Sequence, residues 1–292
     1  MRLIKAAGRL AAGLAAAAAI GTAISAAICS VWIKVARYSV ELDGVKSPVR
    51  AVCISDLHGR EFGKSNERLV AVVREQAPDV IFAVGDMLDG AADKKELERL
   101  EALLTELGGL APVYFAMGNH EQRYMRANEG LPETLKRTGV RVVDDSYEDV
   151  EIAGQTLRIG GTMGHGFAFG RSKEEFEASP EYIFLRDFED TESPKICLAH
   201  MPDTFIFNGA YRLWDIDLVI SGHTHGGLVR VPFAGGLFAP MQGWFPEYDR
   251  GYFRLGEKIQ MIISSGLAGY RWIPRINNRP EIVVVDITGR RD

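Results

Sequence analysis

An α/β fold with parallel strand pairing is predicted by three features of the chain. Apolar runs of strand length alternate with segments of helical periodicity. Each early apolar run ends in a polar loop of unusual composition. With 292 residues, 47% of them hydrophobic and 25% charged, the chain has room for one domain of about 250 residues with a full core, plus a short extra segment.

The elements follow in order. Val49 to Ile54 reads as a buried strand leading into "SDLHGR", and Val80 to Val84 as another leading into "GDMLDG". Between and after them, Asn66 to Gln76 (Leu69, Val72, Val73) and Lys94 to Leu107 (Leu97, Leu100, Leu103, Leu104, Leu107) carry helical spacing. Strand, helix, strand, helix in that order implies parallel pairing. Val113 to Ala116 makes a third strand ending in "MGNHE", and a helix is expected within Arg123 to Arg137. From Arg141 the pattern shifts towards β: Tyr147 to Ile152 and Thr156 to Ile159 flank Gly154 as a hairpin. Lys195 to Ala199, Asp217 to Ile220, Val229 to Val231, Tyr252 to Leu255, Ile259 to Ile263 and Ile282 to Asp286 complete the strands. No repeat or internal linker divides the chain further.

Ahead of these lies a segment of different character. From Leu10 to Ile33 there are 24 residues without a charge, which as a helix would span roughly 36 Å, enough to cross a bilayer. Residues 1–37 are therefore expected to be a membrane anchor, transmembrane over about 10–33, with the folded domain over 45–292. A cleaved signal peptide is the alternative, since small-residue patterns such as Ser25-Ala26-Ala27 occur here. Arg2, Lys5 and Arg9 precede the apolar run and Lys34 and Arg37 follow it, a mild bias for the domain lying outside the cytoplasm at the cell membrane.

Residues 1 to 40 contain no acid, so the remainder carries 29 basic against 39 acidic residues, net −10. That balance argues against nucleic acid as a partner. The three cysteines, at 29, 53 and 197, have neither metal-ligand spacing nor an even disulfide framework, and Cys53 and Cys197 sit in apolar runs as core thiols.

Five of the six histidines fall directly after predicted strands: His58 in "SDLHG", His120 in "GNHE", His200 in "LAHMPD", His223 and His225 in "SGHTHGG". His165 lies elsewhere. Ligand sites of α/β proteins gather at the carboxyl ends of strands, so the shared placement points to one site. Asp56 and His58, two apart in an extended segment, would face the same way and reach a single ion. His223 and His225 flank a turn loosened by Gly222 and Gly226, which would splay them towards two neighbouring ions. With Asp86, Asn119 and His200 the set comprises seven N/O donors and no thiolate, too many for one zinc and right for a pair of ions if one carboxylate is shared. Taken singly, "SDLHG", "GDMLDG" and "GNH" are ordinary turn sequences; it is their joint, ordered occurrence that is specific.

The series "DLH", "GDMLD", "GNHE", "H" and "GHTH" resembles the calcineurin-like metallophosphoesterase superfamily from Val49 to Asp286. That resemblance implies a four-layer α/β/β/α sandwich with a dinuclear site at the strand ends. It also implies roles: Asp56, His58 and His225 on a first divalent ion; Asn119, His200 and His223 on a second; Asp86 bridging. The reaction would be phosphoester hydrolysis by a metal-bridging hydroxide. His120, beside Asn119 but not needed as a ligand, is the expected general acid, and Asp89 would orient it, as the matching family position does. Manganese is the first expectation for the metal, with iron, zinc, cobalt and nickel also compatible. Glu121 could also contribute to the catalysis, a solvated carboxylate at a helix start being the other reading.

Protein phosphatases of the superfamily carry arginine where this chain has Gly90, which disfavours that activity. The N-terminal segment, "GHTHGG", "APMQGWFP" and "NNRPEI" resemble a membrane-anchored bacterial branch. A phosphodiesterase or pyrophosphatase acting on a lipid-linked or nucleotide-lipid substrate, such as a UDP-diacylglucosamine-like molecule, is the function implied; a broad phosphomonoesterase or a non-catalytic metal-binding scaffold are the alternatives. Trp244 in an aromatic, Gly/Pro-rich loop, and Arg271, Arg275 and Arg279 around Trp272, are expected to meet the substrate or lipid head groups. Core cover for the loop and surface ion pairs for the arginines are the other readings.

Overall fold

The protein is seen here in a computed structural model that describes residues 13, 16, 20–29, 31–164, 172–269 and 273–290. Helical residues 20–29 (α1) lead into β1 (Lys34–Leu42) and β2 (Val49–Ile54). Then come α2 (Glu67–Arg74), β3 (Val80–Val84), α3 (Lys94–Gly108), β4 (Val113–Ala116), α4 (Asn119–Met125), α5 (Leu131–Lys136) and β5 (Arg141–Val143). The second half runs through β6 (Ser146–Ile152), β7 (Gln155–Thr162), α6 (Lys173–Glu177), α7 (Pro180–Phe188), β8 (Lys195–Ala199) and β9 (Leu218–Ser221). Two short hairpins follow, β10 (Arg230–Val231) with β11 (Gly235–Gly236) and β12 (Phe238–Ala239) with β13 (Gly243–Trp244), before β14 (Gly251–Leu255), β15 (Ile259–Ile263) and β16 (Glu281–Gly289).

Two six-stranded mixed sheets result, ordered β1-β16-β2-β3-β4-β5 and β14-β15-β9-β8-β7-β6. The run β2-β3-β4-β5 is parallel, as the alternation of strands and helices requires. Side chains of each central strand divide by the period of two. Val52, Ile54, Ile81 and Ala83 pack under α2 and α3 with Leu69, Leu100 and Leu104, while Ala51, Cys53, Val80 and Phe82 turn to the other face and meet Leu198 and Ile220 of the second sheet. A third apolar layer joins the outer face of the second sheet to Phe184, Leu185 and Phe188 of α7. Helices, sheet, sheet, helices is thus the observed layering. Asp93 starts α3 by accepting the Glu96 N–H, and Ser179 starts α7 by accepting that of Tyr182.

Two differences from the sequence reading matter for the site. The domain does not begin at residue 45: β1 pairs in parallel with β16 from Lys34↔Glu281 to Leu42↔Gly289, and Val40 and Leu42 are buried in the inter-sheet core. Lys34 and Arg37, read as the flank of an anchor, are residues of that strand. The helix expected within 123–137 is two, and the first begins at Asn119, so Asn119 and His120 stand on a helical first turn. Among the described residues no helix is long and apolar enough to cross a membrane. Much of the expected span over 10–33, residues 10–12, 14–15, 17–19 and 30, lies outside the described residues, as do His165, Arg271 and Trp272.

Candidate metal centre

The loops after β2, β3, β4, β8 and β9 meet at one edge of the two sheets. Cross-links between them are short: the Asp56 N–H donates to Gly85 O at 3.0 Å, His58 N–H to Asp86 O at 3.0 Å and Gly222 N–H to His200 O at 3.0 Å. Asp56, His58, Asp86, His223 and His225 all sit at positive φ, between 46° and 66°. That region is costly for residues with a Cβ and is characteristic of functional loops. Asp56 and His58 therefore reach the same place through a left-handed turn, not through the alternation of an extended strand expected from their spacing.

Two groups of candidate donors take up the histidines of "GHTH", with ligand atoms within 4.8 Å of one another in each: Asp56, His58 and His225, and Asp86, His200 and His223; a third, His58, Asp89 and His120, shares His58 with the first. The pair in "GHTH" is split between the first two, as the turn at that position predicts. Asp86 stands between those two groups, its Oδ2 lying 3.8 Å from His58 Nε2 and 3.2 Å from His200 Nε2. Asn119 Oδ1 is buried with no hydrogen-bond partner among the described residues, and so are His58 Nε2, His200 Nε2 and His223 Nε2. Buried polar atoms are normally paired.

Tautomers follow from the carbonyls behind the rings. His200 Nδ1 lies 2.8 Å from Val84 O and His225 Nδ1 lies 3.1 Å from Ala268 O. A carbonyl only accepts, so Nδ1 carries the proton in each and Nε2 presents a lone pair, the arrangement of metal-binding histidines. In both rings that lone pair faces a carboxylate, His225 Nε2 being 3.8 Å from Asp56 Oδ1. Lone pair against anion is repulsive unless a cation lies between. The residues therefore fit divalent metal ions.

The electrostatics agree. Burial, and then the charge of neighbouring rings or of Arg275, pulls His58 down to about 4 and His223 and His225 to about 3. These three rings are neutral at ordinary pH, as metal ligation would require. At His200 burial acts downwards as well, but the Asp86 carboxylate outweighs it and holds the imidazole up at about 10. Without metal the second proton sits on Nε2 facing Asp86, and the lone pair is presented once that proton leaves.

Close approach of backbone tightens the frame. A Cβ on Gly222 would stand 2.4 Å from Asp56 Oδ2, and one on Gly118 2.2 Å from Asp86 Oδ1. Glycine is required at both positions by the carboxylate it touches.

His120 and Asp89 border this centre. The His120 ring lies edge-on to His58 with centroids 4.5 Å apart, and its Nδ1 is 3.7 Å from Asp89 Oδ2. The Gly90 N–H donates to that same Nδ1 at 3.0 Å, which leaves the proton of the neutral ring on Nε2. Glu121 is not solvated. Its carboxylate is fully buried and accepts the N–H groups of Asp86 at 2.7 Å, Leu88 at 2.9 Å and Gly118 at 2.8 Å, so it ties the "GDML" loop to the "GNHE" turn. Glu three residues after a glycine at a helix start is a capping signal, and it was the one clue in the sequence.

A cleft of about 540 Å³ opens from His58, Asp89 and His120 and is walled by Arg60, Arg99 and Ile273, with Ala26 and Cys29 of α1 on the same wall. Arg60 follows the "SDLHG" loop directly, a basic residue next to a metal motif that the sequence reading passed over. Arg275 reaches the cleft too, but its Nε, Nη1 and Nη2 donate to the carbonyls of Asn278, Ala268 and Ser265, which makes it a brace for the 265–278 loop. Asn278 in turn donates to His225 O at 2.8 Å and Leu228 O at 3.2 Å; this is the structural part of "NNRPEI". Trp244 is 69% exposed, packs against Phe238 and does not line the cleft. Arg279 lines a separate cavity beneath α1.

Comparison with known proteins gives this geometry a family. Residues 49–227 match the calcineurin-like phosphoesterase family. An uncharacterised metallophosphoesterase of Campylobacter jejuni is 30% identical over 264 residues, covering 88% of this chain and 64% of that protein. A zebrafish (Danio rerio) transmembrane protein with a metallophosphoesterase domain is 30% identical over 278 residues, covering 87% of this chain and 56% of its own length. The phosphodiesterase YaeI of Escherichia coli is 27% identical over 246 residues, with 82% and 83% covered. The chain thus spans less than two thirds of the Campylobacter and zebrafish relatives. With more than half of its length matched to the family, and the strand-end donors in place, the chain belongs to the calcineurin-like phosphoesterases.

Proposed function

We propose that this protein is a metal-dependent phosphodiesterase acting on lipid-linked substrates at a membrane. The observation that carries the reading is the convergence of two His/carboxylate groups on Asp86, with the Nε2 atoms of His58, His200 and His223 lacking any partner among the described residues. Asp56, His58 and His225 would hold one divalent cation, and Asn119, His200 and His223 a second, with Asp86 shared. Manganese suits this N/O donor set, as iron, zinc, cobalt and nickel do. When bound, such ions supply Lewis-acid charge, acidifying water and neutralising phosphoryl oxygens.

The chain's own residues do the rest. Glu121 fixes the backbone that presents Asp86, and the carbonyls of Val84 and Ala268 keep His200 and His225 in the ligating tautomer. His120 delivers the proton to the leaving oxygen from Nε2; once the ring is protonated, Nδ1–H turns from Gly90 to the Asp89 carboxylate. Arg60 and Arg99 flank the cleft beside His58 and His120 and suit the non-bridging oxygens of the ester.

Diester preference is supported by a cleft that runs beyond the metal donors along Ala26, Cys29 and Ile273, space for a second, apolar ester substituent. The E. coli relative is named a phosphodiesterase and the zebrafish one a transmembrane protein. Membrane apposition is supported by the exposed Phe233, Met241, Trp244 and Phe245, and by the exposed row Ile20, Ile24 and Ile28. The Asn277 N–H donates to Ser25 Oγ at 2.7 Å and Arg230 N–H to Ile276 O at 2.9 Å, so α1 and β10 both attach to the 276–277 stretch. Arg2, Lys5 and Arg9 ahead of the apolar run favour the domain on the outer side.

The test uses the full chain reconstituted with Mn²⁺ and assayed on bis-p-nitrophenyl phosphate, p-nitrophenyl phosphate and a phosphodiester lipid in micelles. Higher kcat/KM on the diesters than on the monoester is expected. Monoester preference would overturn the diesterase reading, and no turnover on any ester with metal bound would leave a scaffold.

A further inference from the structure

A second cavity, of about 370 Å³, lies between α1 and the stretch 277–279. Its wall on one side is Gly21, Ser25 and Cys29 with Ile24 and Ile28; on the other stand Lys34, Arg250, Asn277 and Arg279. It shares Cys29 with the metal cleft but none of the metal donors. Three cations line it and no carboxylate among the described residues does; the buried Glu281 behind it pairs with Lys34 at 3.2 Å, and Asp249, next to Arg250 in the chain, is paired with Arg230. Arg250 is partly buried, and its one hydrogen bond among the described residues runs from Nη1 to Asn278 Oδ1 at 3.2 Å. Arg279 is exposed and has no ion pair among the described residues.

A half-buried guanidinium with donors to spare, a second, exposed one and a lysine shared with Glu281 make a receptor for a multidentate oxyanion. The opposite wall supplies different chemistry. Ile20, Ile24 and Ile28 recur every four residues on α1 and are 62%, 55% and 45% exposed, an apolar row along the lip of the cavity. We propose that this cavity binds the phosphate of an anionic phospholipid, with the acyl chains laid along the isoleucine row. The site is distinct from the metal centre. It would hold the cleft at the lipid surface and favour anionic membranes.

The inference rests on the membrane part of the proposed function but not on turnover, so the test reads binding and catalysis separately. The full chain in neutral detergent is titrated with dihexanoyl-phosphatidylglycerol, dihexanoyl-phosphatidylcholine and inorganic phosphate, by calorimetry. Phosphatidylglycerol is expected to bind most tightly. Equal binding of inorganic phosphate would keep the oxyanion site but make the free anion its ligand. Arg279→Glu should weaken phosphatidylglycerol binding by roughly tenfold or more, the scale of losing one well-placed charge contact, while KM for bis-p-nitrophenyl phosphate is unchanged. Arg250→Gln, in a preparation with unaltered Tm, should do likewise. The control Arg126→Glu reverses an exposed charge that follows α4 and lines neither cavity, and should leave binding intact. Equal losses in Arg279→Glu and Arg126→Glu, no loss in Arg279→Glu, or a parallel rise in KM would each overturn the proposal; absent turnover in all variants would overturn the enzyme reading and leave the binding result standing.

Discussion

At His120 the neighbouring groups define what the ring can do. Gly90 N–H on Nδ1 places the neutral ring's proton on Nε2, and Asp89 Oδ2 stands 3.7 Å from the same Nδ1. His120→Ala should therefore retain metal, measured by elemental analysis, yet lose about 10²- to 10⁴-fold in kcat on diesters with alkyl leaving groups. Esters with p-nitrophenolate, which leaves without a proton, should suffer far less. Equal losses on both would argue against the acid role. Glu121 illustrates a residue whose type misleads: the charge that usually sits in water is here spent on three backbone N–H groups. Glu121→Ala leaves those donors buried and unpaired, and a loss of about 3 kcal/mol or more is expected from urea unfolding, at 1–3 kcal/mol for each unsatisfied group. The histidines add a pH signature. In metal-free protein His58, His223 and His225 are lowered to about 4, 3 and 3, so the unfolded chain binds more protons as pH falls below about 6.5 and stability drops on acidification. His200 is raised to about 10; its contribution is complete below about 6.5 and is lost as pH rises to 10. Chelated protein should have a Tm maximum near pH 6.5, and added metal, which displaces the His200 proton, should bind more tightly as pH rises from there. A Tm rising steadily from pH 6.5 to 10 without metal would contradict this.

At the scale of elements, loops carry the chemistry and strands only aim it. The turn after β9 splits His223 and His225 between two groups because Gly222 lets the chain pass 2.4 Å, by a would-be Cβ, from Asp56 Oδ2. Gly222→Ala must push Asp56 aside, so weakened metal binding at the Asp56, His58, His225 group is expected, read by competition with a metal indicator. β1 is the element that sequence reading assigned wrongly. Its row Lys34–Leu42 opens with the Lys34 and Arg37 charges that flank the apolar segment, and its partner β16 is some 247 positions away, Lys34 to Glu281; local periodicity cannot see such a pair. A chain beginning at residue 45 should be insoluble, since it uncovers one edge of β16 and the pocket that holds Val40 and Leu42. One beginning at residue 33 should fold and bind metal, as checked by circular dichroism and elemental analysis.

For the molecule as a whole, the relation of α1 to the metal cleft is the feature with most consequence. Ala26 and Cys29 wall the cleft while Ile20, Ile24 and Ile28 face outward, so a segment that reads as an anchor also shapes the substrate site. Removing it should therefore change kcat/KM for lipid diesters in micelles more than for bis-p-nitrophenyl phosphate, and equal changes would separate the helix from substrate choice. Replacing the exposed Trp244 and Phe245 with serine should lower activity on micellar substrate by roughly tenfold, from lost interfacial burial, with soluble substrate unaffected.

The sequence by itself determined the α/β alternation, the order of strands β2 to β4 with their helices, and the strand-end positions of the Asp and His candidates that the fold brings together, because periodicity and strand-end motifs are local and those histidines lie within a few residues of an apolar run. Tertiary structure alone decided the rest. The left-handed turns at Asp56 and His58, the burial of Glu121, the commitment of Arg275 to carbonyls and the two cavities beside α1 all depend on atoms brought together from distant parts of the chain. Such contacts leave no period in the sequence: Asn278 supports His225 from 53 positions away, and nothing in either residue's neighbourhood requires it.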